Sequence, residues 1–100
     1  MHKIKITVVK KTLHLDLKNK YENDILHTCD LNEGDAFISE EAKMPKGFCT
    51  EAWKSVSEFV FRLANGEVNL FDGWMKNPKS ALISCNDGIR PVSFLLEVID

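Results

Sequence analysis

Seven apolar residues between positions 52 and 64 line up on one face of a helix. Ala52, Trp53, Val56, Phe59, Val60, Leu63 and Ala64 recur at spacings of three, four and seven, with Lys54, Ser55, Ser57, Glu58 and Arg62 between them. A stripe of this width is stable only when it packs on a second apolar layer. The spacing predicts a helix from about Thr50, with Thr50 as its N-cap and Asn65-Gly66 as its stop. The second layer is visible at both ends of the chain. Ile4, Ile6 and Val8 alternate with Lys3, Lys5 and Thr7 over residues 3–10, which is the pattern of a strand with one wet side. Its lysines suggest an edge strand that deters further pairing.

Two more strands are expected late in the sequence, over Ala81–Cys85 and Val92–Ile99, with Asn86-Asp87-Gly88 as the hairpin turn between them. The last run is apolar on alternate positions of both kinds (Val92, Phe94, Leu96 and Val98 against Leu95 and Ile99), so it belongs in the middle of a sheet covered on both faces. Ala36–Glu40 reads as a short strand, and Met44-Pro45-Lys46-Gly47 as a turn. Residues 12–21 fit both a period of two and a helical stripe. The polar residues among them favour a short helix, followed by a loop over 22–34. Leu70, Phe71, Trp74 and Met75 predict one or two further helical turns before Asn77-Pro78. The fold class is therefore α+β: a small, largely antiparallel sheet packed by one long amphipathic helix and one or two short ones.

One hundred residues allow one domain, and 44% apolar residues suffice for a core without crosslinks. Ile6, Val8, Val56, Phe59, Val60, Leu63, Phe94, Leu96 and Val98 are expected to share it. The net charge of −2 conceals a sorting by segment. Residues 1–20 carry six lysines and one acid, whereas residues 21–42 carry seven acids and no Lys or Arg. The acidic stretch is expected to lie against the lysines. A pI near 5.9 argues against nucleic acid as the partner. No apolar run reaches the length of a membrane span, and the opening Met-His-Lys-Ile-Lys-Ile has no signal-peptide pattern. A cytoplasmic protein is the expectation, with an odd cysteine count that suggests no disulfide framework.

Dinucleotide, phosphate-loop, nucleophile-elbow and Cys-x-x-Cys motifs are absent, and Asp30–Asp35 has its glycine at the wrong place for a calcium loop. Chemistry concentrates instead at three cysteines, each at the end of a predicted element. Cys29 follows His27 by two residues, Cys49 precedes the long helix, and Cys85 ends a strand. Free cysteine often serves as a small buried hydrophobe. Drawn together, Cys29, Cys49 and Cys85 with His27 would offer sulfur and nitrogen ligands to zinc or another thiolate-bound metal, although their spacings are not those of a zinc ribbon. Without metal, Cys49 is the candidate nucleophile, because the start of a helix favours an anion. Asp87 and Arg90 are candidate ligand-binding residues. Arg90 can fork onto an anionic group, and the simpler reading is an Asp–Arg pair bracing the turn. Trp53 and Trp74 are expected in the core, with the walls of a small-molecule pocket as the other possibility. His2 and His14 have no assigned role.

Lys5-Ile6-Thr7-Val8, Met44-Pro45-Lys46-Gly47-Phe48-Cys49 with Ala52-Trp53, and Cys85-Asn86-Asp87-Gly88-Ile89-Arg90-Pro91-Val92 together resemble a family of small, uncharacterised bacterial and archaeal proteins of roughly this length. The looser Cys29…Gly34…Phe37 also fits. The family tends to have Pro-Trp after the central cysteine, where this chain has Thr50-Glu51. The resemblance implies that all three cysteines, Asp87 and Arg90 belong to the family pattern, and it implies no activity. Two functions follow as expectations: a thiol-centred site, binding metal or doing redox or nucleophilic chemistry, or a non-catalytic binding or assembly module, including a homo-oligomer, with structural cysteines.

Overall fold

The computed structural model describes residues 1–23 and 29–100. Four strands, β1 (Ile4–Lys11), β2 (Ala36–Ser39), β3 (Ser80–Ser84) and β4 (Val92–Val98), form one antiparallel sheet in the order β2-β1-β4-β3. Helices α1 (Leu15–Tyr21), α2 (Thr50–Ala64) and α3 (Leu70–Gly73) complete the α+β domain. The candidate ligand His27 lies outside the described residues, as does part of the loop expected over 22–34.

Alternation decides which face is dry. Ile4, Ile6 and Val8 of β1, Val92, Phe94 and Leu96 of β4, and Ala81 and Ile83 of β3 point to one side and are buried there. Helix α2 covers this side with Ala52, Val56, Val60, Leu63 and Ala64. Phe59 and Val98, both expected in the core, are half-buried and pack at its margin. Phe48 binds the layers together, with its ring 5.1 Å from Phe37 of β2, 6.0 Å from Trp53 of α2 and 5.3 Å from Phe94 of β4.

The opposite sheet face carries Lys5, Thr7, Leu95, Glu97 and an exposed Leu82. Two expectations change for this reason. β1 is an inner strand, not an edge: its lysines point into water because the whole face is wet, and both its neighbours pair with it. β4 is inner as expected, but α2 covers it on one face only. The acidic segment meets the lysines at Glu40, 3.6 Å from Lys3, and at Glu33, whose carboxylate accepts the Lys11 backbone N–H.

The helical reading holds over Leu15–Tyr21, yet α1 buries none of its side chains. After α2 the chain makes only the single turn α3, within which Phe71 and Asp72 adopt positive φ near 57°. Trp74 then lies on the surface, 80% exposed, so it is not a core residue. Phe59, Phe71 and Trp74 stack in series at 5.3 and 5.8 Å. Among the described residues no helix is long and apolar enough to cross a membrane.

Candidate functional site

The turn before α2 places Cys49. The Phe48 N–H donates to the Pro45 carbonyl, and Gly47 takes a φ of +81°, the left-handed region where a side chain is disfavoured. Phe48 then inserts into the core and fixes where the helix begins. Of the two residues at the start of the helix, Cys49 and not Thr50 is the N-cap, as a cysteine expected at or just before the cap allows: its backbone is extended (φ −70°, ψ 122°) and its carbonyl accepts the Trp53 N–H. Its side chain makes no capping hydrogen bond. The preference of caps for Thr over Cys is a matter of about 1 kcal/mol. Burial of Phe48 sets the register instead.

Cys85 follows β3 and extends its ladder by one step. Its N–H donates to the Val92 carbonyl, and its Sγ accepts the Val92 N–H at 3.3 Å. The connection from Cys85 to Pro91 is therefore longer than a tight hairpin turn. Asp87 organises it, with Oδ1 accepting the N–H groups of Ile89 and Arg90 at 2.8 and 3.0 Å. The loop is also tied to the end of β1, because Thr12 and His14 donate backbone N–H groups to the carbonyls of Pro91 and Ile89.

Arg90 is braced from both sides. One guanidinium nitrogen, Nη1, meets both oxygens of Glu22 at 2.6 and 2.8 Å, and Nη2 lies 3.3 Å from Asp87 Oδ2. The expected Asp–Arg pair is present. Glu22, 68 positions away and with only 12% of its side chain exposed, is a partner that local spacing does not reveal. Burial alone would raise the Asp87 carboxyl, but the two backbone N–H groups and the guanidinium outweigh it and hold the group below the usual carboxylate range. The hydrogen bond to Glu22 holds the Arg90 proton more firmly still.

The three cysteines, all free and half-buried, line one cavity of about 330 Å³. Asn86, Asp87, Arg90 and Glu51 contribute polar wall, and Ala52, Val92 and Phe94 an apolar floor. A smaller space of about 190 Å³, bounded by Lys11, Thr12 and Leu13, shares Cys29, Arg90 and Val92 with it. Trp53 and Trp74 line neither of these two cavities. Among the described residues, no three Cys, His, Asp or Glu side chains are gathered closely enough to hold a metal ion. The thiols share a wall without converging on a point.

The fold and this cavity define a two-layer α+β domain with a thiol-lined cleft at one end of its helix. Comparison with known protein families, with curated proteins and with solved structures finds no match to the chain.

Proposed function

We propose that this chain carries a thiol-centred site in which Cys29, Cys49 and Cys85 are the working groups and Cys49 is the nucleophile. One observation carries the reading: all the cysteines of the chain line the same cavity, although 20 and 36 residues separate them in sequence. All three also pack against the core, so what supports the reading is the cavity they share and not their burial. Redox or nucleophilic chemistry is the form proposed, and metal binding by the same thiols is the alternative that the alkylation and zinc measurements separate from it. Asp87, held ionised, and Arg90, held by Glu22, keep the Cys85 loop in place beside the cavity. A working thiol of this kind suits the reducing cytoplasm and a small-molecule partner. The resemblance of the cysteine-bearing segments to a small bacterial and archaeal family belongs to the same proposal.

Site-resolved alkylation tests it. In the folded protein Cys49 should react fastest, and a bulky maleimide on Cys49 should slow labelling of Cys29 and Cys85, since all three open on one space. Three thiols that react slowly and independently, each far slower than in urea, would overturn the reading. Stoichiometric zinc in protein purified under reducing conditions, with the thiols blocked, would replace the nucleophilic role by metal binding. A second reading, a non-catalytic binding or assembly module, is favoured by the outward stack of Phe59, Phe71 and Trp74, the last 80% exposed. Concentration-dependent sedimentation that is lost in Trp74→Ala would support a homo-oligomer built through that surface.

A further inference from the structure

We propose that the thiol cavity discriminates its small-molecule partners by charge, accepting amine-bearing disulfides over carboxylate-bearing ones, with Glu22 as a specificity-determining residue. The proposal rests on the thiol-centred reading above and adds the chemical class of the substrate. The cavity wall carries two carboxylates, Glu51 and Asp87, and one cation, Arg90. That cation is already engaged: Glu22 takes one face of the guanidinium through both oxygens, and Asp87 meets it from the other nitrogen. Glu22, largely buried, takes both donors of Nη1 and offsets the positive charge an anionic guest would otherwise meet there. Lys54 pairs with Glu51 at 3.0 Å; among the described residues the lining charges and their ion-pair partners are Glu22, Glu51 and Asp87 against Arg90 and Lys54. Lys11 lines the adjoining smaller space rather than this one. An ammonium group meets attraction at this wall, and a carboxylate meets repulsion.

The volume, about 330 Å³, lies at the low end for small-ligand pockets and suits a compact disulfide. The step is thiol–disulfide exchange. A cavity thiolate attacks one sulfur of R–S–S–R; that S–S bond breaks, and a protein–S–S–R bond forms. The departing R–S⁻ takes up the proton released by the cysteine. The cysteine is oxidised and the leaving half of the reagent is reduced, so electrons balance without a further oxidant.

Three disulfides of similar size test the inference: cystamine, with two ammonium groups; bis(2-hydroxyethyl) disulfide, which is neutral; and dithiodiglycolate, with two carboxylates. Mass spectrometry follows mixed-disulfide formation at each cysteine, and every rate is divided by that of a thiol without charge of its own, N-acetylcysteine amide, with the same reagent. Cystamine should exceed dithiodiglycolate by about tenfold at low salt, the effect of roughly one near-surface charge interaction, and the ratio should shrink in 0.5 M salt, where the Debye length is only about 4 Å. Glu22→Gln frees Arg90 and should cut the ratio about threefold or more. Glu51→Gln, at an exposed helix position where folding is not at stake, should do the same. A ratio of one or below in the natural chain, or a ratio that neither substitution moves, overturns the charge inference while leaving a reactive thiol site standing. If the neutral disulfide reacts at all three cysteines more slowly than with N-acetylcysteine amide, the thiol-centred reading fails and takes this one with it.

Discussion

Truncating Phe48 to Ala tests how the cavity is supported. The ring is 6% exposed and makes edge or tilted contacts with Phe37, Trp53 and Phe94, one from each surrounding element. Loss of a buried phenylalanine, with the space it leaves, costs about 3–5 kcal/mol. Aromatic pairs of this geometry are each worth about 0.5–1.5 kcal/mol beyond area. Three partners place this site in the upper half of the range, about 4 kcal/mol, because β2, β4 and α2 cannot all collapse inward together. For a domain of this length each kcal/mol lowers the Tm by about 4–8 °C, so a fall of at least about 15 °C is expected. Urea unfolding followed by tryptophan emission reads it directly, since Trp53 packs on Phe48 while Trp74 lies in water in either state. Cys49, the adjacent residue, should gain in alkylation rate in the variant while still folded. A loss below about 1 kcal/mol with an unchanged m-value would refute the role given to Phe48. Phe61→Ala, on the exposed side of α2, should change stability by less than about 0.5 kcal/mol and serves as the control.

Other substitutions probe separate features. The Ser39 hydroxyl is buried and donates to the Lys43 carbonyl at 2.7 Å, so Ser39→Ala should cost about 1–2 kcal/mol in a urea titration. Asp87 has its folded pKa depressed, so its contribution to stability is present above the unfolded value of about 3.9 and disappears as pH falls through the lower folded value. Acid unfolding of Asp87→Asn should accordingly show a shallower loss of stability below about pH 4 than the natural chain. Arg90→Ala leaves Glu22 and Asp87 without their shared cation, and thermal unfolding should show a lower Tm together with faster labelling of Cys29, which shares both cavities with Arg90. Trp74→Ala should leave the Tm nearly unchanged, within about 0.5 kcal/mol, and remove the solvent-exposed component of the emission.

The sheet and the long helix were legible because burial on one face writes a period into the sequence. Ile4-Ile6-Val8 and the stripe from Ala52 to Ala64 each carry it without interruption. Leu13, Leu15, Leu17 and Tyr21 form an apolar pattern that the core does not use, and a pattern with no burial behind it cannot announce its own conformation. The lysines of β1 suggest an edge, whereas they mark a wet face; alternation reports exposure of side chains and says nothing of whether the backbone has neighbours on both sides. At the site, the three cysteines and the Asp87-Arg90 turn stood out as chemistry gathered at element ends. Glu22 did not, because its partner lies 68 positions away and one acid among seven in an acidic stretch carries no distinguishing spacing. Thr50 was the better cap by preference, and Cys49 took the place because Phe48 had to be buried.

The central ladder joins the ends of the sequence: Ile4 pairs with Val98 and Val8 with Phe94. β1 therefore gains its inner neighbour only when β4, far along the sequence, is in place. The β3–β4 pair and the helix that packs on it are close together in sequence and can assemble first, whereas docking β1 closes a loop of roughly ninety residues at an entropic cost that no local contact offsets. Until β4 is in place, Ile4, Ile6 and Val8 lack the β4 half of their shelter. The lysines interspersed among them then act in time rather than in space: they keep a half-sheltered apolar strand soluble through the interval in which its β4 edge is open to water or to another chain.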